Sequence, residues 1–478
     1  MTNTLPLWTA KDALKITAGD VRGNWSADGV SIDTRTLEKG DLFVAISGPN
    51  YDGHAFVSAA FNAGAAAAVV SNGSADTLGN NPGLLVPDTL SALGLLAAAA
   101  RRRTKAKITA ITGSIGKTST KEALAHVLSE QGETCASKSS LNNHWGVPLS
   151  LARTPESTKF GIFEIGMNHP GEIIPLTALV RPDVAIVTAI APAHMQFFDS
   201  IEDIARAKSD IFKGLNDGIA IIDRDAEHFN LLRSTALTSG AAKVISFGVH
   251  ADADLRLIGY ETNPNGSLME AAWLGQTIRY RVGQPGINWT SNSLAVLAAT
   301  GALGGDLNAA AAALGSLPAL PGRGMIHVLP WNGGTIKLID DSYNANPTSM
   351  KAALETLGQI QPEGGRRIAV LGDMLELGKT SRAAHVGLIE HIKEYSIDTV
   401  LLAGPEMAAL AEILDTSCFG GHTDTAEDLL PNIVKTLDAG DVISVKASNA
   451  MEMGRIVDAL ISLEARPCAL NSDKERKA

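Results

Sequence analysis

The chain has little cysteine and no excess of positive charge, and each shortage excludes a class of protein. Its 478 residues include only three cysteines, Cys135, Cys418 and Cys468, far apart and without Cys-x-x-Cys spacing. This use of cysteine argues against a disulfide framework or a thiolate metal site and is typical of a reducing compartment. The net charge of −11 argues against nucleic acid as a partner, because binding a phosphate backbone needs a cationic surface.

Long apolar runs are also missing. The longest alanine-rich runs, AGAAAAVV and ALGLLAAAA, are shorter than the ~18 apolar residues of a membrane span. The start, MTNTLPLWTAKDAL, lacks the basic segment and apolar core of a signal peptide. We therefore expect a cytoplasmic protein with no stable membrane insertion.

Apolar strand patterns alternate with helical patterns along most of the chain. In the centre, ITAIT, FGIFEIG, VAIVTAI, GIAIID and KVISFG are short continuous apolar runs, typical of parallel strands buried on both faces. ADLRLIGY and TIRYRVG predict added antiparallel strands. A second series, TIKLIDD, RIAVLGD, TVLLAG and DVISVKAS, follows the Pro/Gly-rich segment LPALPGRG, which predicts an interdomain linker. The last residues, ALNSDKERKA, predict a disordered tail.

These patterns predict an α/β protein of three domains. Residues 1–86 form a small N-terminal α/β domain, and residues 87–321 form a central domain with a P-loop-type, mostly parallel sheet. Residues 322–478 form a Rossmann-like, doubly wound C-terminal domain. The predicted linker at 317–324 is a candidate hinge for closure of the third domain.

The stretch KITAITGSIGKTSTKEAL, from Lys107, predicts a strand, a glycine-rich turn and a helix. It ends like a P-loop, G-x-x-x-x-G-K-[ST], but the first glycine is Gly113 rather than position 111. A loop here aims backbone N–H groups and a helix N-terminus at one point, which favours an anion. Lys117 could then reach phosphate oxygens and the Thr118 hydroxyl could bind Mg²⁺. The alternative is a strand-to-helix turn that merely contains a lysine.

Three further polar residues follow strands or begin helices nearby. Glu164 ends FGIFE and His194 follows VAIVTAI, so both are expected at the sheet edge where ligands bind. Glu164 could instead cap a helix, and His194 could be an ordinary loop histidine. Lys208 lies on a helix whose start is marked by Ser200 and Asp203. Sequence patterns alone predict a solvated helix face for this lysine.

Several motifs occur together over some 270 residues: TGSIGKTSTKE, LNNHWGVP, FEIGMNHPGEI, APAHMQFFDSIEDIARAKSDIF, LPGRG, DDSYNANPTSM and LGDMLELG. This set resembles the Mur ligases, ATP-dependent amide-forming enzymes of peptidoglycan synthesis. SIDTRTLEKGDLFVAI extends the resemblance to the first domain. DDSYNANP is similar to the branch that adds a D-alanyl-D-alanine dipeptide, and the chain has no D-N-P-R tetrapeptide typical of the branch that adds the third amino acid.

The resemblance implies an ATP- and Mg²⁺-dependent ligase. It implies that UDP-N-acetylmuramoyl-tripeptide and D-alanyl-D-alanine are joined through an acyl phosphate, giving the pentapeptide, ADP and phosphate. It also implies a monomer whose partners are these small molecules.

The resemblance also implies roles for matching residues. Catalytic roles are implied for Lys117, Glu164, His194 and Lys208. One Mg²⁺ is implied at Thr118 and Glu164, and a second at His194 with Lys208, the lysine that is carbamylated in this family. The implied ATP-binding residues are Gly113, Ser114, Ile115, Gly116, Lys117, Thr118, Ser119, Asn292, Arg323 and Asp341. Ser31, Asp33, Thr34 and Arg35 are implied near the uridine diphosphate, Asn142 and Asn143 near the muramoyl-peptide, and Tyr343, Asn344 and Asn346 near the dipeptide.

The chain departs from the family pattern at three places. Ile287 and Asn288 stand where relatives usually have histidine, often after arginine, so adenine contacts there are an open question. Ala447 stands where relatives usually have glycine, close to Lys446. ASKSSLNNHWGVP lacks the acidic residue and glycine that many relatives carry before the leucine.

Other functions remain as alternatives at this point. One is another ligase of the same superfamily, such as the one that adds the third amino acid or a folate polyglutamylating enzyme. A P-loop ATPase or kinase with a protein partner would turn over nucleotide without an amine acceptor. A non-catalytic nucleotide sensor is the third.

Overall fold

The computed structural model describes residues 5–48, 51–263 and 266–464. The predicted tail, ALNSDKERKA, lies outside the described residues. Among the described residues, no helix is both long and apolar enough to cross a bilayer. By its contacts the chain divides into two compact units. The first contains residues 1–189, 205–256 and 294–313, and the second contains residues 190–204, 257–293 and 314–478.

The N-terminal part of the first unit is a small α/β layer. Its strands are β1 Trp8–Thr9, β2 Asp20–Arg22, β3 Ser26–Ala27, β4 Gly29–Ser31, β5 Asp41–Val44, β6 Ala67–Ser71 and β7 Gly83–Val86, and its helices are α1 Ala10–Thr17, α2 Val57–Asn62 and α3 Thr89–Arg103. The sheet order is β2-β7-β6-β5-β4, in which only β2 is antiparallel to its neighbour. Apolar residues of β5 and β6 pack with α2.

The central region continues with alternating strands and helices. Its first elements are β8 Lys107–Thr112, α4 Lys117–Ser129, β9 Thr134–Ala136, α5 Gly146–Ala152, β10 Phe160–Glu164, α6 Ile173–Val180, β11 Val184–Val187 and α7 Ile201–Ser209. They are followed by β12 Gly218–Asp223, α8 Phe229–Thr238, β13 Ala241–Gly248, β14 Leu255–Asn263, β15 Gly266–Trp273, β16 Gln276–Val282, α9 Asn288–Ala302 and α10 Leu307–Leu314.

Parallel pairing orders the strands of the first unit as β9, β10, β8, β11, β12, β13 and the start of β14. The registers Glu164–Ile111 and Val187–Thr112 bring the carboxyl ends of β10 and β11 beside the end of β8. Consequently Glu164 lies at the same sheet edge as the ends of β8 and β11, as predicted for this residue. In the second unit β15 and β16 pair antiparallel.

The C-terminal region is a six-stranded sheet with helices on both faces. Its elements are β17 Met325–Trp331, β18 Gly334–Asp340, α11 Pro347–Gln359, β19 Arg367–Gly372, α12 Ser381–Glu394, β20 Thr399–Ala403, α13 Ala408–Ala411, β21 Phe419–Thr423, α14 Ala426–Thr436, β22 Val442–Lys446 and α15 Gly454–Glu464. The strand order is β17-β18-β22-β19-β20-β21, parallel except for β17. Ile368 and Val370 of β19 belong to the core with α14 and α15, whereas Ala369 and Leu371 belong to the core with α11 and α12. This alternation confirms the doubly wound C-terminal sheet.

The strand predictions are confirmed for the continuous apolar runs and fail at weaker ones. ADLRLIGY, predicted to be antiparallel, begins as β14 parallel to β13, so that prediction is wrong for this pairing. The short strand β9, the hairpin partners β15 and β17, and the edge strand β21 were not predicted. They lack a continuous apolar run, and they are held by pairing with neighbours rather than by their own pattern.

Candidate active site

A tight loop joins β8 to α4 and is fixed to the end of β11. The Ser114 N–H donates to the Ala189 carbonyl at 2.6 Å, and the Thr188 hydroxyl donates to the Ile115 carbonyl at 2.6 Å. Gly113 has φ +154°, and a Cβ there would meet the Thr188 Oγ1 at 1.9 Å. The close approach of Thr188 therefore requires glycine at this position.

The loop has the polar features of an anion site. Gly116, with φ +83°, is the N-cap of α4, so the amino end of a 13-residue helix follows the loop directly. The Ser114 hydroxyl is buried without a hydrogen-bond partner among the described residues. The Lys117 ammonium donates to the Gly113 carbonyl at 2.8 Å, so it lies over the same loop. Ser119 lies in the first turn of α4. These groups fit a phosphate.

Glu164 is the centre of a buried polar cluster beside this loop. It is only 1% exposed. The Thr118 hydroxyl donates to its Oε2 at 2.7 Å, and the Asn142 amide donates to its Oε1 at 2.8 Å. Sequence patterns suggested Thr118 and Glu164, and the family resemblance suggested Asn142, but neither predicted that Asn142 binds the Glu164 carboxylate. Asn143 serves the backbone instead, since its Oδ1 accepts the Gly146 N–H at 2.9 Å at the start of α5.

Lys208 is almost completely buried, at 1% exposure. The solvated helix face that sequence patterns alone predicted for Lys208 is therefore wrong. The predicted start of α7 is confirmed, because the Ser200 hydroxyl accepts the Asp203 N–H at 3.1 Å. Burial, together with the nearby charge of Lys117, holds the pKa of the Lys208 amine well below its usual range, although Glu164 acts in the opposite direction. A neutral amine is thereby favoured beside the phosphate loop.

A second buried lysine, Lys121, was missed by the sequence analysis. It is 0% exposed and donates to the Ser137 and Ser139 carbonyls, each at 2.6 Å. It also forms an ion pair with Glu122 at 2.7 Å. These contacts fix the loop that leads to Asn142. The only sign of Lys121 in the sequence is its position in TSTKE. It lies one helical turn after Lys117, so both lysines are expected on the same face of the helix.

The DDSYN segment of the second unit is tied to the predicted linker. The Asp340 carboxylate accepts the Gly322 N–H at 2.7 Å and the Ser342 hydroxyl at 2.6 Å. The Arg323 guanidinium lies 4.4 Å from the centre of the Tyr343 ring. Arg323 and Tyr343, which were predicted to contact different ligands, are thus in direct contact. Of the two adjacent aspartates, Asp340 and Asp341, Asp340 has the structural role.

Asp341, the other member, pairs with a buried lysine. The Lys446 ammonium lies 2.8 Å from Asp341 Oδ2 and donates to the Asn344 carbonyl at 2.8 Å. Burial raises the pKa of the Asp341 carboxyl, and Lys446 and Arg323 oppose this rise. Asn346 caps α11, accepting the Ser349 N–H at 2.9 Å in a capping box. Its side chain therefore has a structural role.

His194 lies in the second unit, where its Nδ1 is 2.5 Å from Glu376 Oε2. Glu376, in the LGDMLELG motif, was not singled out from the sequence, because the two residues are 182 positions apart. Asn292 is buried in the first half of α9, the helix that Asn288 begins.

In the N-terminal part, Ser31, Asp33 and Arg35 form one small hydrogen-bonded turn, with Thr34 within it. The buried Ser31 hydroxyl donates to the Asp33 carbonyl at 3.0 Å. Arg35 Nη2 donates to Asp33 Oδ2 at 2.6 Å, and this bond lowers the pKa of the Asp33 carboxyl. The Arg35 side chain is 87% exposed, so it can also reach a ligand.

Ala447 has a packing explanation. Its side chain is 0% exposed within the core with α14 and α15, and a Cβ built on Gly372 would meet the Ala447 methyl at 2.7 Å. The extra methyl is therefore accommodated by a glycine on the neighbouring strand.

Comparison with known proteins agrees with these observations. Family models match three successive segments: the Mur ligase family catalytic domain at 26–101, the Mur ligase middle domain at 111–300, and the Mur ligase glutamate ligase domain at 322–449. This confirms the three-domain α/β architecture, whereas the bounds 1–86, 87–321 and 322–478 stay a prediction.

Full-length relatives are similar throughout. The UDP-N-acetylmuramoyl-tripeptide--D-alanyl-D-alanine ligase of Escherichia coli (strain K12) is 36% identical, over 95% of this chain and 98% of that protein. A crystal structure of MurF from Acinetobacter baumannii has a TM-score of 0.81 and 29% identity, covering 96% of this chain and 99% of that one. MurF ligase from Thermotoga maritima in complex with ADP has a TM-score of 0.74 and 26% identity, covering 92% and 98%. The chain therefore belongs to the Mur ligase family, and relatives similar to it over nearly their whole length are UDP-N-acetylmuramoyl-tripeptide--D-alanyl-D-alanine ligases.

Proposed function

We propose that this protein is an ATP-dependent ligase that joins D-alanyl-D-alanine to UDP-N-acetylmuramoyl-tripeptide. The observation that carries the proposal is the grouping of Thr118, Glu164 and the buried Lys208 beside the phosphate loop. The near full-length similarity to ligases of this name supports the choice of substrates.

The phosphate loop accounts for the first half of the reaction. Forming an amide from a carboxylate is uphill in water, so the tripeptide carboxylate must first attack the γ-phosphate of ATP, giving an acyl phosphate and ADP. Two anions have to meet in this step. The Lys117 ammonium and the amino end of α4 would offset the charge on the transferring phosphoryl group.

The residues beside the loop fit Mg²⁺. Among the described residues there is no group of three or more His, Cys, Asp or Glu side chains that would form an all-protein metal cage. Magnesium with a nucleotide does not need one, since it is commonly held by one or two protein oxygens together with phosphates and water. The Thr118 hydroxyl and the Glu164 carboxylate provide such oxygens. When bound, the ion would neutralise charge on the phosphates.

Lys208 suits the carbamate that the family resemblance implies. A neutral amine adds to carbon dioxide and releases one proton, leaving a carboxylate-like group, whereas an ammonium cannot. The lowered pKa of Lys208 favours the neutral form. NMR of protein equilibrated with ¹³C-bicarbonate tests this, since a carbamate carbon signal is expected in the parent protein and not in Lys208→Met.

The second half of the reaction belongs to the acceptor. The free amine of D-alanyl-D-alanine attacks the acyl carbon, the C–O bond to phosphate breaks, and inorganic phosphate leaves. Tyr343, Asn344 and Asn346 are proposed near this dipeptide, and Arg323, Asp341 and Asn292 near ATP. Asn142 and Asn143 are proposed near the muramoyl-peptide, with Ser31, Asp33, Thr34 and Arg35 near the uridine diphosphate. His194 is proposed for a second Mg²⁺.

Phosphate release tests the whole proposal. The assay contains ATP, Mg²⁺ and UDP-N-acetylmuramoyl-tripeptide, with D-alanyl-D-alanine, with L-alanyl-L-alanine, or with no dipeptide. We expect phosphate release only with D-alanyl-D-alanine. The product should be heavier than the UDP-N-acetylmuramoyl-tripeptide by one D-alanyl-D-alanine unit. Release that is independent of the dipeptide would support an ATPase instead.

A further inference from the structure

The contact between His194 and Glu376 joins two turns that are distant in sequence. His194 follows β11 in APAHMQFF, and Glu376 follows β19 in LGDMLELG. The family models for the middle domain and for the glutamate ligase domain match these two segments separately. Within the second unit, His194 Nδ1 and Glu376 Oε2 are 2.5 Å apart, a short distance even for a charge-assisted hydrogen bond.

The backbone around the pair is fixed in an unusual conformation. His194 and Glu376 have φ of +59° and +63°, a region that residues other than glycine seldom adopt. The Gln196 N–H donates to the Glu376 carbonyl at 3.0 Å. Gly378, with φ +54°, packs so closely that a Cβ there would lie 3.2 Å from Gln196 Cα. Both turns are therefore built to meet, and strained backbone of this kind is often found at functional sites.

We propose that Glu376 is a positioning residue for His194. Its carboxylate accepts the Nδ1–H proton, which fixes the ring orientation and places the lone pair on Nε2. A histidine that binds a metal through one nitrogen usually donates its other N–H to a carboxylate or carbonyl, and this bond makes the ligand more basic. Glu376 would thus prepare Nε2 for a divalent cation. This inference rests on the proposed function, in which His194 serves a second Mg²⁺.

The role is not one of stability. His194 is 24% exposed and Glu376 41% exposed, and a polar contact this exposed contributes little to folding. The pair His391–Glu394, three residues apart on α12 with Nδ1 3.2 Å from Oε2, has the same chemistry without the strained turns. It provides a matched control in which a carboxylate that contacts a histidine is removed.

Manganese binding tests the proposal independently of catalysis. Mn²⁺ is titrated in the presence of ADP and followed by electron paramagnetic resonance, with the parent protein and with Glu376→Ala, Glu376→Gln and Glu376→Asp. We expect Glu376→Ala and Glu376→Gln to weaken one Mn²⁺ about 10- to 100-fold while the other is unchanged. Glu376→Asp should recover most of the affinity, and the control Glu394→Gln should bind as the parent does.

The tautomer of His194 provides a second readout. In ¹⁵N-histidine-labelled protein the parent should carry the His194 proton on Nδ1, and Glu376→Ala should move it partly to Nε2. Thermal unfolding checks that each variant folds. If Glu376→Ala does not fold, Glu376→Gln, which keeps the side-chain shape, replaces it in the test. Unchanged Mn²⁺ affinity in the folded variants would overturn the proposal.

The two proposals can fail separately. If the parent protein releases phosphate without the dipeptide, the ligase function is wrong whatever Glu376 does. If the parent is a dipeptide-dependent ligase and the Glu376 variants bind Mn²⁺ normally, only the positioning role is wrong.

Discussion

The first unit contains two lysines buried to the same degree in different surroundings. Lys121 and Lys208 are 0% and 1% exposed. Around Lys121, two carbonyls and the Glu122 carboxylate lie within 2.7 Å of the ammonium. Around Lys208, burial and the like charge of Lys117 dominate, and they lower its pKa. Burial alone therefore does not decide the role of a lysine, because the groups around the two amines differ.

Lys121 therefore has a structural role, and Lys208 is the lysine suited to a chemical role. A paired buried charge is costly to disrupt, since removing one partner leaves the others unsatisfied. A buried amine in neutral form contributes nothing comparable to stability, but it is a nucleophile.

The largest effect is expected from Lys117→Ala. It removes the charge proposed to face the phosphates, and we expect dipeptide-dependent phosphate release to fall at least ~10³-fold, as for other lost charge-stabilising groups. It also removes a like charge near Lys208, so the Lys208 pKa should rise. Lys107→Ala, at the exposed start of β8, the strand before the loop, is the control. Activity within tenfold of the parent would exclude the phosphate-loop assignment.

Lys208→Met should strongly lower activity without loss of stability. We expect kcat to fall about 10²-fold or more, because the proposed carbamate cannot form. The melting temperature should stay the same or increase, because a desolvated amine is replaced by an apolar side chain. Steady-state kinetics measures kcat and thermal unfolding measures the melting temperature. Lys213→Met is the control, because Lys213 is a half-exposed lysine paired with Asp210. A strong loss of stability would show that Lys208 is structural like Lys121.

Lys121→Met should have the opposite result. Two buried carbonyls and Glu122 lose their partner, so we expect the free energy of unfolding to fall by about 2–4 kcal/mol. KM for the muramoyl-peptide should rise more than KM for ATP, because the loop that leads to Asn142 is released. Urea unfolding measures the first and steady-state kinetics the second. Lys138→Met, in a surface pair with Glu38 at 3.6 Å, should change stability by less than about 0.5 kcal/mol.

The smallest effect concerns a partly buried carboxyl in the same unit, Asp223 at the end of β12. Burial, and to a lesser extent the charge of Asp225, raises the pKa of Asp223 to about 6. An acid whose pKa is raised by folding adds stability at low pH and loses it as the pH rises through 6. Asp223→Asn should therefore stabilise the protein more at pH 8 than at pH 4. The difference between the two changes in the free energy of unfolding should be on the order of 1–2 kcal/mol. Equal effects at both pH values in urea unfolding would contradict this.

Local patterns in the sequence were sufficient for the phosphate loop and for most strands. The run ITAIT followed by GSIGKT predicted β8, the loop and the start of α4, because apolar periodicity and glycine positions act over a few residues. The continuous runs RIAVLGD and DVISVKAS predicted central strands of the C-terminal sheet for the same reason. Strands with mixed patterns, such as β15 and β21, were missed because pairing with neighbours stabilises them.

The partners of the polar residues were much harder to predict. Asn346 and Asn143 were predicted to contact ligands, yet the Asn346 side chain caps α11 and the Asn143 side chain accepts the Gly146 N–H. Glu376 was not selected at all, although it touches His194. Side-chain hydrogen bonds between distant segments leave no periodic mark in a sequence, so only the motif resemblance suggested which residues matter.

By itself the sequence therefore determined the α/β class, the phosphate loop between β8 and α4, and membership in the Mur ligase family. The tertiary structure alone decided which buried groups are paired: Glu164 with Thr118 and Asn142, Lys121 with two carbonyls, and Lys208 with little to retain its charge. The physical reason is one of distance along the chain. Periodicity and turn chemistry are local, whereas burial and the partner of a charge depend on segments that meet only after folding.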